Sequence, residues 1–287
     1  MTINVMFVIR AVFVPHLWDI VEYLFSGAIA GFAVTGYYAI KIFLEYFTRL
    51  IDEGDSTFDS SNNLSQMISI FTFTMVAVCF AAPAAMSKTL AIEAISIVGA
   101  TFFASMAILL ILVKLTSGFQ NMLKSGIGAE ASPSLWIMIP ILTLLGITFV
   151  RLMMGFEHNF KAETHATSFL VLTTVIVSLQ LVFGKIGYFV MRRNRYFRTY
   201  VNGDKLSIPS FSLICPGVAF MVFWFFFVHF GFVHTHIVSK YSLVYFLMLL
   251  PGVLVQIKTI QVFLKLENKF KLLNLFTNNG KVANYNS

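Results

Sequence analysis

Arg151 is the residue whose type and surroundings most directly suggest chemistry, because it lies in an apolar stretch with hydrophobic residues on both sides. An ionisable side chain within a bilayer costs about 2.5–3.5 kcal/mol on insertion scales, so such residues usually serve a function. The planar guanidinium of arginine could hold a permeating anion through two N–H groups at once. Alternatively, Arg151 could extend to the membrane interface, because its stretch ends a few residues later. Both interpretations stay open.

Four further residues join Arg151 in a predicted transport pathway. Glu157 and His158 follow it closely and could form a proton-sensitive gate, because histidine titrates near neutral pH. A solvated loop is the simpler interpretation of that pair. Pro83 and Pro140 lie in or against apolar segments, where proline frees a backbone carbonyl and bends a helix. Interrupted helices line the pathway in many transporters.

Cys215 is the candidate for a second kind of chemistry. It precedes Pro216 near the predicted start of an apolar helix, where the helix dipole stabilises a thiolate. That environment would suit thiol-redox catalysis, although Cys79, the other cysteine, is distant in sequence. The simpler interpretation is a small apolar residue. Apart from a redox-active Cys215, we predict no catalytic residue.

The remaining ionisable residues have structural interpretations. Asp19, Glu22 and Glu93 stand at predicted helix starts, where the dipole favours a carboxylate. Lys185 and Lys258 lie near the predicted cytoplasmic ends of apolar segments, from which a lysine can extend to the headgroups.

Known site motifs are missing from the sequence. The six histidines lack the i, i+3 or i, i+4 spacing of helical metal ligands, and neither a catalytic triad nor a phosphate-binding glycine loop occurs. We therefore predict no cofactor, no metal and no nucleic-acid partner, and nothing indicates an enzyme.

Composition indicates where these residues must be held. The 287 residues are 58% hydrophobic and 11% charged, whereas a soluble domain is about 45–50% apolar and about 25% charged. The apolar runs are also much longer than the alternating strands of about ten residues in a membrane barrel. The sequence therefore predicts an all-α integral membrane protein.

Hydropathy predicts seven or eight transmembrane helices in hairpins, and it assigns residues 1–287 to a single domain with a polar cytoplasmic tail from about residue 265. The segments cover residues 3–14, 20–47, 64–82, 90–113, 135–154, 167–190, 211–233 and 241–263. The first is too short to span a membrane and resembles the tail of a helix. Basic residues concentrate after every second segment, above all between Arg192 and Lys205. The positive-inside rule then places the C-terminus in the cytoplasm.

Several strings along nearly the whole chain resemble the TsoY family of bacterial membrane (seleno)proteins. They include AVFVPHLWDIVEYLF (residues 11–25), AAPAAMS (81–87), MGFEHNF (154–160) and CPGVAF (215–220). The resemblance implies an N-terminally short version of a ten-helix bundle in the bacterial inner (plasma) membrane. It also implies that Cys215 corresponds to a selenocysteine in some members.

Ten helices in hairpins are similar, more distantly, to the tellurite-resistance/dicarboxylate transporter and slow-anion-channel group. That likeness implies a central pore for small anions. The resulting hypothesis is a transporter or channel whose partners are the lipid bilayer and a small anionic solute, with oligomerisation left open. The alternative is a membrane thiol-redox protein centred on Cys215.

Overall fold

Seven long α-helices dominate the computed structural model, which describes residues 17–52, 67–158, 160, 165–203, 205 and 207–283. Apolar segments fold this way in lipid because a helix satisfies its own backbone hydrogen bonds. The helices are α1 (Leu17–Asp52), α2 (Ile68–Met86), α3 (Leu90–Ser125), α4 (Met138–His158), α5 (Ala166–Arg193), α6 (Ile214–Phe226) and α7 (Leu243–Ala283). No strand occurs within these ranges.

Each of the seven helical regions is long and apolar enough to cross a membrane, which confirms the predicted all-α membrane class. The α4 span includes a 3₁₀ turn at Ser132–Ile137, and the α6 span continues through a π-helical turn at Phe227–Val233. The predicted short segment at residues 3–14 lies outside the described residues.

The helices α2 and α4 form the centre of the bundle. Helix α2 packs mainly on α3 and α4, while α4 also contacts α5 and α6. Their buried side chains, such as Phe73 and Ile141, form one continuous apolar core. The outer helices instead expose apolar side chains such as Val98 and Leu254, as a lipid-facing surface should.

Two helices continue beyond the predicted apolar segments. Hydropathy ends the fourth segment at residue 113, but α3 continues to Ser125. Lys114, which hydropathy places in a loop, is therefore a helical residue and only 7% exposed. Likewise α7 continues through the polar tail to Ala283. Hydropathy marks where the hydrocarbon ends, whereas a helix continues for as long as its backbone bonds are satisfied.

The four prolines near the membrane segments fall into two classes. Pro140 and Pro216 occupy the first turns of α4 and α6, where the absent N–H has no helical partner to lose. Pro140 therefore starts a helix and does not interrupt one. Pro83 and Pro251, by contrast, lie inside α2 and α7, and each removes one hydrogen bond from its helix.

A single carboxylate on α1 fastens the α2–α3 hairpin. Oε2 of Glu22 accepts a 2.7 Å hydrogen bond from the Ser87 hydroxyl, and its Oε1 accepts a 2.6 Å bond from the Lys88 backbone N–H. The Ser87 hydroxyl also accepts a bond from the Thr89 N–H. The three-residue connection is thus held by a charged acceptor, which makes stronger hydrogen bonds than a neutral one.

Candidate functional site

Arg151 lies between α4 and α2, inside the bundle. Its guanidinium is half-buried, and Nη1 donates a 3.3 Å hydrogen bond to the backbone carbonyl of Val78. Pro83 has no N–H, so it cannot donate a hydrogen bond to the carbonyl four residues earlier in α2, that of Cys79. The cation therefore sits beside the interruption in α2, so the structure brings Arg151 close to the Pro83 break.

Glu93 approaches the same face of α4. Its side chain is fully buried, and a Cβ added at Gly155 would lie 3.2 Å from its Oε1 and would clash with the Ala84 carbonyl. Gly155 is four residues beyond Arg151 and thus on the same helix face. The missing side chain at Gly155 is what allows α2 and α3 to pack this closely on α4, one helical turn from Arg151.

Ser96 is a further buried polar residue on α3, and we group Glu93, Ser96, Arg151 and Gly155 as the interior polar cluster by their positions along neighbouring helices. Ser96 follows Glu93 by one turn on α3 and is fully buried. Its hydroxyl has no hydrogen-bond partner among the described residues. Buried hydroxyls are normally bonded, and an unsatisfied one calls for an explanation such as an absent water or solute.

The other predicted pathway residues are not part of the cluster. Glu157 is half-buried in the last turn of α4, and an ideal helix places it about 120° around the axis from Arg151. His158 ends α4, but its side chain lies outside what the structure describes. Pro140 is eleven residues before Arg151, about 16 Å along the helix. The predicted pathway is therefore dispersed, with only Arg151 and Pro83 close together.

Pro140 instead shares a cavity with Cys215. This cavity of about 700 Å³ lies between the start of α2 and the segments leading into α4 and α6, and Glu130 also lines it. Cys215 is exposed, whereas Cys79 is buried in α2, and neither cysteine forms a disulfide within the described chain. The structure thus gives Cys215 an open cavity but no thiol partner in the described chain.

Gln180 is a polar residue that the sequence analysis passed over. It is fully buried in α5, and its Nε2 donates to the Thr143 hydroxyl at 2.8 Å and to the Ile139 carbonyl at 3.2 Å. The Thr143 hydroxyl also lies 3.0 Å from the Ala219 carbonyl, which it can donate to. This network joins α4, α5 and α6, and such bonds stabilise membrane helix packing by about 1 kcal/mol each. In the sequence, a lone glutamine within an apolar run was the feature that could have indicated this interhelical network.

Comparisons of the chain with protein-family models, with curated proteins and with solved structures found no match. The resemblance to the TsoY family stays a prediction from the sequence. Among the described residues, no group of three or more His, Cys, Asp or Glu side chains could hold a metal ion. A functional assignment must therefore rest on the interior polar cluster and on the cavities.

Proposed function

We propose that this membrane protein carries a small anion across the bilayer and that Arg151 binds the anion. The observation behind the proposal is the half-buried guanidinium of Arg151 inside the helix bundle, bonded to Val78 through one of its five N–H donors. An anion reaching this position would meet the remaining donors in the fork geometry that suits carboxylate and similar anions. The hydroxyl of Ser96 on α3, which has no partner among the described residues, would supply a further donor.

Glu93 gives this site a second property that transport requires. Conduction needs a binding site that is strong enough to admit the ion and weak enough to release it. Glu93 lies beside Gly155, one turn along α4 from Arg151, and a negative charge there lowers the affinity of the site for an anion. In this proposal Arg151 provides the affinity and Glu93 keeps that affinity moderate.

Flux into liposomes containing the purified protein tests this function. Replacing Arg151 by glutamine should lower the flux of permeant anions about tenfold or more, because a charge-assisted hydrogen bond contributes about 1.5–3 kcal/mol. Lys41→Gln is the matched control, since it removes one positive charge from an exposed position on α1. The proposal fails if no anion moves faster than through empty liposomes, or if the Arg151 and Lys41 variants transport equally.

A thiol-redox function at Cys215 is the second candidate, and it is favoured by the exposed thiol in the 700 Å³ cavity. The rate of alkylation at Cys215 as a function of pH tests it, with Cys79→Ser to remove the other thiol. A rate already maximal near neutral pH supports a reactive thiolate. A rate that keeps rising well above neutral pH, as for an ordinary thiol, contradicts it.

A further inference from the structure

The helices α5, α6 and α7 line a partly open apolar chamber that the transport proposal does not use. The chamber has a volume of about 580 Å³, within the range of about 300–1,000 Å³ typical of small-molecule sites. Most of its lining is hydrophobic, including Trp136, Leu181, Phe220 and Leu254. Gly184 also lines it, and a Cβ there would meet only Ile139, at 3.8 Å. The chamber therefore has room for a flexible apolar chain.

A second, basic chamber adjoins the first. Its volume is about 450 Å³, and the two share the lining residues Tyr188, Phe197, Lys258 and Val262. Five cationic side chains line the basic chamber: Arg192, Arg195, Arg198, Lys258 and Lys265. No carboxylate is among its lining residues in the described chain.

The hydrogen bonds of the two lysines leave this positive charge uncompensated. Lys258 donates to the side-chain oxygen of Gln261, and Lys265 donates to that of Asn202. Both acceptors are neutral amides, so they orient the ammonium groups without neutralising them. Five cations around one small volume repel each other unless an anion enters. The chamber is therefore complementary to a strongly anionic group.

The chamber is also anchored on both sides. The phenol of Tyr196 is fully buried and lies 2.9 Å from the Ser210 hydroxyl, and burial raises the pKa of Tyr196 above its ordinary value. Nζ of Lys269 donates to the carbonyls of Tyr200 and Gly203 and so ties the connecting segment to α7. Hydrogen bonds of the fold thus hold the basic chamber in place.

The depth of the two chambers matches that of a lipid. Lys265 is 22 residues into α7, which corresponds to about 33 Å of helix. The hydrocarbon layer is about 30 Å thick, so an α7 that enters it at Leu243 would bring Lys265 to headgroup level. Leu254 and the apolar chamber lie deeper, within the acyl region. The order along α7 is therefore apolar chamber first and basic chamber second, as in a phospholipid with its tail inside and its phosphate at the surface.

We propose that this groove binds an anionic phospholipid, with an acyl chain in the apolar chamber and the phosphate headgroup among the five cations. Basic pockets between transmembrane helices are suited to anionic headgroups. The arginine forks favour bidentate bonds to phosphate oxygens. A second negative charge on the headgroup strengthens binding, because the chamber offers more cationic side chains than one phosphate can neutralise.

Native mass spectrometry of protein purified from an equal mixture of anionic and zwitterionic phospholipid tests the proposal. The full chain should retain the anionic lipid selectively, and Arg192→Gln/Arg195→Gln/Arg198→Gln should reduce retention about tenfold or more. The matched control is Lys124→Gln/Arg193→Gln/Lys205→Gln, which removes the same charge from exposed residues outside the chamber and should retain the lipid. Equal retention by the two triple variants, or of the two lipids by the unaltered chain, overturns the proposal.

Two further arms separate a lipid from a free anion and guard against a misfolded triple variant. Gly184→Leu fills the apolar chamber and should lower lipid retention while leaving the cations in place. If that variant retains the lipid fully, and millimolar glycerol phosphate displaces it, the site binds a soluble anion and the proposal is wrong.

In the unaltered chain, anionic lipid with brominated acyl chains should quench tryptophan fluorescence more than brominated zwitterionic lipid. Trp136→Phe should remove that excess, and an absent excess contradicts the proposal.

Discussion

At the scale of single residues, substitutions in the interior polar cluster can distinguish an effect on solute binding from an effect on the stability of the fold. Arg151 bonds to a carbonyl of α2 and retains further donors, whereas the hydroxyl of Ser96 contributes no hydrogen bond within the described chain. A buried hydroxyl without a partner costs about 1–3 kcal/mol. Its removal should therefore affect a bound solute more than it affects the fold.

Ser96→Ala tests that distinction. We expect the variant to be as stable as the unaltered chain or slightly more so, and to need about two- to tenfold more anion for half-maximal flux, because a donor is lost from the site. Thermal unfolding in detergent and concentration-dependent flux are the two measurements. A loss of stability with unchanged flux would instead make Ser96 a packing residue.

Glu22, in contrast to Ser96, is expected to have a structural role. Glu22→Gln keeps the shape but removes the charge that accepts bonds from Ser87 and Lys88. We expect the free energy of unfolding to fall by about 1–2 kcal/mol, measured by thermal unfolding. Glu45→Gln, at an exposed position on the same helix, should change it little. Equal effects of the two substitutions would mean that the hydrogen bonds between Glu22 and the α2–α3 hairpin contribute no stability.

At the scale of elements, the close approach of α2, α3 and α4 depends on small residues. Fully buried alanines, among them Ala77, Ala81 and Ala100, lie on these helices, and Gly155 admits the Ala84 carbonyl. In lipid, helices associate through packing and interhelical hydrogen bonds, and small residues allow the backbones to approach. One added methyl group at such a contact must push two helices apart.

Gly155→Ala is the corresponding prediction. We expect it to destabilise the bundle by about 1–3 kcal/mol, because the new Cβ has no space between Ala84 and Glu93. Gly27→Ala on α1 is the control, since a Cβ there meets nothing within 4 Å and alanine favours the helix. Thermal unfolding of both variants is the measurement. An equally stable Gly155→Ala protein would show that the contact is looser than described.

At the scale of the whole molecule, successive spans alternate in direction, so the connections divide into two groups. One group contains Lys205 and the cationic residues that follow α5, and the other contains the connections at residues 87–89 and 234–242. From the sequence, the positive-inside rule predicts that the first group faces the cytoplasm. The proposed lipid site would then lie in the cytoplasmic leaflet.

A membrane-impermeant maleimide tests this orientation. In a background of Cys79→Ala and Cys215→Ala, Lys240→Cys should react in intact cells, while Lys205→Cys should react only after the membrane is permeabilised. Both positions are exposed, so the reaction depends on the compartment and not on burial. The opposite labelling pattern would invert the topology and would place the basic chamber outside.

The sequence by itself determined the membrane class and the seven helices of the described chain, because their apolar surface has no stable place in water. It also singled out Arg151, since one cation among apolar residues is visible without coordinates. It could not determine where each helix stops beyond the hydrocarbon, as α3 and α7 show, because hydropathy reports the solvent and not the backbone bonds.

Only the tertiary structure decided which residues meet. Glu93 reaches the face of α4 that carries Arg151 because Gly155 leaves space there, and Pro140 and Glu157 are separated from Arg151 by helix length and phase. The five cations of the basic chamber come from α5, from α7 and from the segment after α5. Such groupings depend on packing between distant segments, and one sequence carries no direct signal for contacts of that kind.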